Sequence, residues 1–268
     1  MLAVQRRRAL ADLLGENPVL AVEDLARRFA VSAQTVRRDL QYLEQRGLIR
    51  RAYGGAVARD RDEDALTLSR ESAFRAREEE RAAQKRAIAR LALGLVKSGQ
   101  TVIFDASTTV LQLAHALPLD IELTAIVNAL PVGMELSRRP HVEITAIGGT
   151  LRQTSLSWTG PIAEANLRRL YADTAFISTR GLSVGRGLTE ANPYEAALKE
   201  IMIANAARVV VLADSSKLGR SALSFFAPLD AVAMLVTDDE ADPRALSQLR
   251  ELGLDVMVAA PLTASEGS

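Results

Sequence analysis

Apolar positions in the first 58 residues fall into three stripes at helical spacing: Leu10, Leu13 and Leu14; then Val22, Leu25, Ala26 and Phe29; then Val36, Leu40 and Leu43. Three short helices are expected. Asn17 and Pro18 break the first from the second, and Ser32 stands at the N-cap of the third, where its hydroxyl can accept a backbone N–H. Only "AVS" separates the second and third helices. Ala26, Ala30 and Val36 then take the small contact, small turn and core apolar positions of a helix-turn-helix. The stretch "RGLIRRAYGGAVA" follows, with a helix stop at Gly47, a strand, a tight turn at Gly54 and Gly55, and a second strand. It reads as a two-stranded wing carrying Arg50 and Arg51 on its incoming strand and Tyr53 at its tip.

Residues 59–64, "RDRDED", hold nothing to bury and read as a solvated connector. Apolar periodicity resumes at Ile88, Leu91, Ala92 and Leu95, in a helix whose earlier turns, "RAREEERAAQKR", are mostly charged. Beyond Gly99, short apolar runs alternate with helical patterns: "TVIFD", "LTAIVN", "VEITAIGG", "TAFIST", "RVVVLAD", "AVAMLVTD" and "LDVMVAA". Strands alternating with helices imply a mainly parallel sheet covered on both faces. The expected fold class is α/β: an N-terminal winged helix-turn-helix, residues 1–58, and a larger Rossmann-like sensor domain, residues 75–262. A charged linker at 59–74 and a tail at 263–268 complete the division.

Composition narrows the chemistry. The 268 residues include no cysteine and two histidines, His115 and His141, so disulfides, thiolate nucleophiles and metal sites are not expected. No apolar run approaches the roughly 18 residues that span a bilayer, and the chain reads as cytoplasmic, with no membrane partner. Overall charge is balanced at 33 basic and 33 acidic residues, but residues 1–58 hold ten arginines against six acidic residues, +4, leaving −4 for the rest. A basic end on an acidic body suits a polyanion.

On the third helix, Gln34, Thr35, Arg37, Arg38 and Gln41 can face outward. Arg forks onto guanine and Gln onto adenine, while Thr meets phosphate or a thymine methyl. With Ser32, Arg50, Arg51 and Tyr53 they form the expected DNA-contacting set; which arginine reads bases and which grips phosphate stays open. Asp39 is expected to brace an arginine, since a carboxylate near phosphates is repelled.

Ligands of open parallel sheets bind outside the carboxyl ends of strands. Those ends carry "DASTT" from Asp105 to Thr109, Asn128, "GGT" with Gly148 and Gly149, "RGL" from Arg180, and "DSSK" ending at Lys217. Ser107, Thr108 and Thr109 lie between a strand and a helix, where hydroxyls and free N–H groups converge on an anion. A phosphate-bearing molecule with hydroxyls is the natural ligand, with Asp105 and Asn128 on its hydroxyls. In "TEANPYEAALK", Asn192 caps a helix that Pro193 opens, and Glu195 and Lys199 are spaced as an i,i+4 pair of about 0.2–0.5 kcal/mol. Glu195 and Lys199 are also candidate ligand contacts. No cofactor is expected.

These motifs resemble the DeoR family of bacterial transcription regulators. The family pattern of an arginine with apolar residues four and eight positions on is met by Arg6, Leu10 and Leu14, and its closing string by Ser32, Thr35, Val36, Arg37, Arg38, Asp39 and Leu40. The second half resembles the family's sensor domain, similar to sugar-phosphate isomerases that have lost catalysis. Matching positions are Asp105, Ser107, Thr108, Thr109, Asn128, Gly148, Gly149, Arg152, Gly160, Gly187, Thr189, Glu195, Lys199, Asp214, Ser216 and Lys217. Arg180 departs, since members commonly carry aspartate before that glycine. The resemblance implies a homo-oligomeric, non-enzymatic repressor of carbohydrate-metabolism genes that binds double-stranded operator DNA and is released by a phosphorylated sugar. Alternatives are an isomerase or deaminase with a DNA-binding appendage, a repressor answering another anion through Arg180, and a constitutive architectural DNA binder.

Overall fold

The computed structural model describes residues 6, 10, 19–29, 31–45, 49–52, 55–58 and 74–262. The chain divides into two compact units, Met1–Arg70 and Glu71–Ser268. Leu13, Leu14, Asn17, Pro18, Ala30, Gly47, Tyr53, Gly54, residues 59–73 of the connector and the tail lie outside the described residues.

In the first unit, strand β1 (Val19–Ala21) leads into helix α1 (Val22–Phe29), and helix α2 (Ala33–Gln45) follows after three residues. Strands β2 (Ile49–Ala52) and β3 (Gly55–Ala58) pair antiparallel, Ala52 opposite Gly55, and β1 pairs on the other side of β3. The wing therefore has three strands in the order β1-β3-β2, not two. Three residues are too few for β1 to declare a period-2 pattern. Leu10, Val22, Leu25, Val36, Leu40 and Leu43 close into one core, so members of all three stripes meet.

The second unit begins with a departure. Residues 74–79 are helical and α3 covers Ala82–Leu93, but Glu80 and Arg81 form a turn between them, where one continuous helix was expected. Arg81 is left-handed, at φ 54° and ψ 37°, a conformation costing a non-glycine residue roughly 1–3 kcal/mol. Its guanidinium lies 3.1 Å from Asp214, 3.3 Å from Asp238 and 2.8 Å from Glu240, and these carboxylates hold the turn. Phe74, assigned to the connector by its neighbours' charge, is instead buried in the core.

Next come β4 (Thr101–Phe104), α4 (Thr108–Ala116), β5 (Leu123–Val127), α5 (Leu130–Leu136) and β6 (Val142–Ala146). A hairpin, β7 (Thr150–Arg152) and β8 (Ser157–Thr159), leads to α6 (Pro161–Leu167) and β9 (Ala172–Ile177). Then follow β10 (Gly181–Ser183), β11 (Gly187–Glu190), α7 (Pro193–Ala204), β12 (Ala206–Leu212), β13 (Ser224–Ala227), β14 (Met234–Asp238), α8 (Pro243–Glu251) and β15 (Asp255–Ala259). The seven expected strands form one parallel sheet in the order β15-β14-β12-β9-β4-β5-β6. Alternate residues serve its two faces: Val102 and Phe104 pack with α3, α4 and α5, while Ile103 packs with α6, α7 and α8. The β7–β8 hairpin and a small sheet, β10-β11-β13, are additions not expected from the sequence.

The chain winds from β4 outward to β6, then returns to place β9 on the other side of β4. That reversal opens a crevice between β4 and β9, where ligands of such sheets bind. Among the described residues, no helix is long and apolar enough to cross a membrane.

Candidate functional sites: a reading helix and a strand-end cleft

Helix α2 opens as its sequence requires. Ser32 Oγ accepts from the Thr35 N–H at 3.1 Å and lies 2.9 Å from the Thr35 hydroxyl. Val36, Leu40 and Leu43 are buried, whereas Gln34, Arg37, Arg38 and Gln41 are exposed and Thr35 is half-buried. Asp39 is buried too, and its Oδ2 accepts from Arg6 Nε at 2.6 Å, a brace spanning 33 positions. The aspartate thus ties the start of the unit to α2 beneath an outward cationic face. Arg50 and Arg51 stand on β2, opposite Val57 and Ala56.

The cleft lies over the ends of β4, β5, β9 and β12. The strand-end residues Ser107, Thr108, Thr109, Asn128, Ser178, Arg180 and Lys217 line it, as do Glu190 from β11 and Glu195 and Lys199 from α7. Arg77, Glu80 and Lys85 supply a further wall from the turn before α3 and the helical residues on either side of it. At the N-terminus of α4, Ser107 caps by accepting from Val110 N–H at 3.0 Å. Asn128 is buried, and its Oδ1 has no hydrogen-bond partner among the described residues. A buried amide oxygen left unpaired costs about 1–3 kcal/mol, so a donor arriving in the cleft is favoured there.

Several expected ligand contacts do other work. Asp105 is fully buried; its Oδ1 accepts from Ser107 N–H at 2.9 Å and its Oδ2 from Ser178 N–H at 2.7 Å, clamping the ends of β4 and β9 together. It is not among the residues that line the cleft. Gly148 and Gly149 form the turn into the hairpin and do not line the cleft. A Cβ on Gly149 would stand 2.8 Å from the Thr159 oxygen and 2.9 Å from the Ala163 Cβ, so glycine there lets the hairpin close on α6. Arg152 also sits behind the lining, 3.3 Å from Glu195.

The expected Glu195–Lys199 pair is not formed. Lys199 Nζ instead donates to Glu190 Oε2 at 2.7 Å and to the Ser178 carbonyl at 2.6 Å, with Asp105 at 3.3 Å. Burial pushes the Lys199 ammonium down, but Glu190 and Asp105 outweigh burial and hold it protonated beyond the ordinary lysine range. Burial likewise pushes Glu190 up, and Lys199 more than reverses that, leaving it below the usual carboxylate range. Burial, then Arg180, depress Arg77. Burial also depresses Lys85; Asp214 and Glu80 oppose this, while Lys217 and Arg180 add to it. The cations of this cleft therefore repel one another across it.

Both units match family models: residues 6–62 the DeoR-like helix-turn-helix domain, residues 80–239 the DeoR C terminal sensor domain. The chain belongs to the DeoR family. Similar proteins in this family include the HTH-type transcriptional regulator YulB of Bacillus subtilis (strain 168), 36% identical over 98% of this chain and 99% of the relative. HTH-type transcriptional regulator GlpR of Haloferax volcanii is also 36% identical, over 96% of this chain and 98% of its own length. The L-fucose operon activator of Escherichia coli (strain K12) is 31% identical over 87% of this chain and 94% of its own. This chain is accordingly a DeoR-family transcriptional regulator.

Sequence reasoning missed five polar cleft residues of this DeoR-family chain: Arg77, Glu80, Lys85, Ser178 and Glu190. Glu190 ends a strand, in "GLTE", and a search of every strand end would have found it. Arg77, Glu80 and Lys85 carried no such signal, because a charged helix reads as a solvated one until its partners are known.

Proposed function

We propose that this DeoR-family regulator is a cytoplasmic, homo-oligomeric repressor of carbohydrate-metabolism genes that leaves its operator when a phosphorylated sugar fills the strand-end cleft. Residues 1–58 read DNA through Gln34, Thr35, Arg37, Arg38 and Gln41, with Ser32, Arg50, Arg51 and Tyr53 positioning the unit on phosphates. Residues 75–262 hold the effector and the contacts between copies. Two copies would read half-sites about 34–36 Å apart or a multiple of that spacing.

The observation that carries the effector half is the α4 N-terminus in the same cleft as the unpartnered Asn128 oxygen, with Arg77, Lys85, Arg180 and Lys217 also lining it. Helix N–H groups and a surrounding ring of cations favour a phosphate. Sugar metabolism as the regulated process is supported by the name of the L-fucose relative. Catalysis is disfavoured by the state of the proton-carrying groups. Lys199 is held as an ammonium by two carboxylates, and both Asp105 oxygens are engaged, so neither of these candidates is free to move a proton.

The test is operator binding by the full chain, followed by fluorescence anisotropy, with and without a panel of sugar phosphates. An effector should weaken binding through a coupling of about 1–3 kcal/mol, roughly 5- to 150-fold. Arg37→Ala or Arg38→Ala should each cost about 1–3 kcal/mol if that side chain forks onto a base, and less if it meets phosphate alone. An operator affinity indifferent to every sugar phosphate would end the effector reading, and arginine variants that bind normally would end the assignment of the reading face.

A further inference from the structure

Glu80, Glu190, Glu195 and Asp214 line the cleft, and the last three already have dedicated partners, Asp214 through Arg81 at 3.1 Å and the Ser216 N–H at 3.0 Å. Glu190 is matched by Lys199 at 2.7 Å and the Ala191 N–H at 2.8 Å, and Glu195 by Arg152 and the Ser157 hydroxyl, both at 3.3 Å. Arg180 is matched less well. Its Nε stands 3.7 Å from Glu190 Oε1, beyond hydrogen-bond reach, and its side chain is 38% exposed in the cleft wall.

The backbone beneath that side chain is fixed. Arg180 N–H donates to the Thr189 carbonyl at 3.0 Å, and Thr179 Oγ1, with one proton to share, lies 2.8 Å from both the Gly181 and the Thr189 carbonyl oxygens. Gly181 cannot carry a side chain, because a Cβ there would lie 2.6 Å from the Arg220 carbonyl oxygen. The fixed backbone sets where the guanidinium starts from, and its loose engagement by protein leaves the fork available to a ligand at the cost of ordering the side chain.

The sheet sets β9 beside β4, so Arg180, just past β9, faces the crevice from the strand adjacent to the one that leads into α4. A short phosphorylated chain anchored at α4 would present its far end towards Arg180. Arg180 also repels Arg77 and Lys85, a repulsion that an anion among them relieves. A planar fork fits a carboxylate in two parallel hydrogen bonds. The single charge of a carboxylate matches the single loosely engaged guanidinium, whereas a second phosphate would bring up to two charges to it.

We propose that Arg180 recognises a carboxylate at the end of the ligand remote from its phosphate, so that the effectors are phosphorylated sugar acids in preference to phosphorylated neutral sugars. This inference rests on the phosphate reading of the same cleft. The test uses the full chain and isothermal titration with matched pairs: 6-phosphogluconate against glucose 6-phosphate, and 4-phosphoerythronate against erythrose 4-phosphate, with inorganic phosphate alongside. The acid of at least one pair should bind ten-fold or more tighter than its neutral partner. Arg180→Ala should bring that ratio near one, and Arg180→Lys, which keeps the charge but not the fork, to an intermediate value.

Neutral members binding as tightly as the acids, or a ratio unchanged in both variants, overturns the role of Arg180 and leaves the phosphate reading standing. Should Arg180→Ala not fold, the ratio in Arg180→Lys decides. A chain that binds none of these ligands, inorganic phosphate included, fails the phosphate reading and this inference together.

Discussion

The two units treat charge in opposite ways. In the first, among the described residues, a buried pair, Arg6 with Asp39, lies under α2, and Arg37 and Arg38 stay exposed on its outer face. In the second, Lys199 is buried against Glu190 and Asp105, and Arg81 is packed against Asp214, Asp238 and Glu240. A helix that meets a polyanion needs one brace and an apolar stripe, and its cations can remain in water. A crevice that takes a small molecule must first neutralise its own walls, since unpaired charge is costly in a low dielectric. Few groups are then left for a ligand, and Asn128 and Arg180 stand out because their protein partners are absent or distant.

Breaking each brace tests that contrast most severely. Asp39→Ala takes away the carboxylate to which the buried Arg6 guanidinium donates, and Lys199→Met takes the ammonium from two buried carboxylates, each at about 3–5 kcal/mol. That is a large share of the roughly 5–15 kcal/mol of a typical domain. In calorimetry of the full chain, Asp39→Ala should remove the melting transition of the first unit and operator binding with it, while leaving the second transition in place. Lys199→Met should do the reverse to the transitions. Either variant shifting both transitions alike would show that the units share one cooperative structure.

The charge network in the sensor unit also carries a pH signature. Glu190 is depressed, so its contribution is complete above the unfolded carboxylate value, about 4.3, and is lost as pH falls through its lower folded value. Lys199 is raised, so its contribution is complete below the unfolded value, about 10.4, and is lost only as pH rises through its folded value. Sensor melting should therefore hold through neutral pH and fall in acid below about pH 4.3. Glu190→Gln should flatten that acid limb. An acid limb of unchanged steepness in the variant would move the effect to other carboxylates.

What the sequence disclosed follows the range of the interactions involved. The α2 stripe and the seven sheet strands announce themselves because period and run length are local. Asp39 was legible as a brace because its neighbours left it no other use. Lys199 shows the limit: an i,i+4 partner at Glu195 was the local expectation, and it lost to Glu190, Asp105 and the Ser178 carbonyl, which only the folded sheet brings together. Arg81 shows it more sharply. Every nearby residue favours helix, yet Asp238, 157 positions away, and its neighbours hold that arginine left-handed. Asp105 was read as a ligand contact because it sits at a strand end, where nothing in the sequence tells a clamp from a reading group.

The smallest expected effect compares the two units on equal terms. Ser32 caps α2 through the Thr35 N–H at 3.1 Å, and Asn192 caps α7 through the Tyr194 and Glu195 N–H groups at 3.0 and 3.2 Å. Replacing either by alanine removes one cap, worth about 1 kcal/mol. The free-energy losses match, but the temperature shifts should not, because the entropy of unfolding scales with the number of residues that melt together. Per kcal/mol, a domain of 60–100 residues shifts by roughly 4–8 °C and one of 150–250 by roughly 2–4 °C. Ser32→Ala should therefore lower the first transition about twice as far as Asn192→Ala lowers the second, each leaving the other transition unmoved. Equal shifts would mean that α2 melts with more of the chain than its own unit, and the division between the proposed reading surface and the proposed sensing crevice would lose its thermodynamic basis.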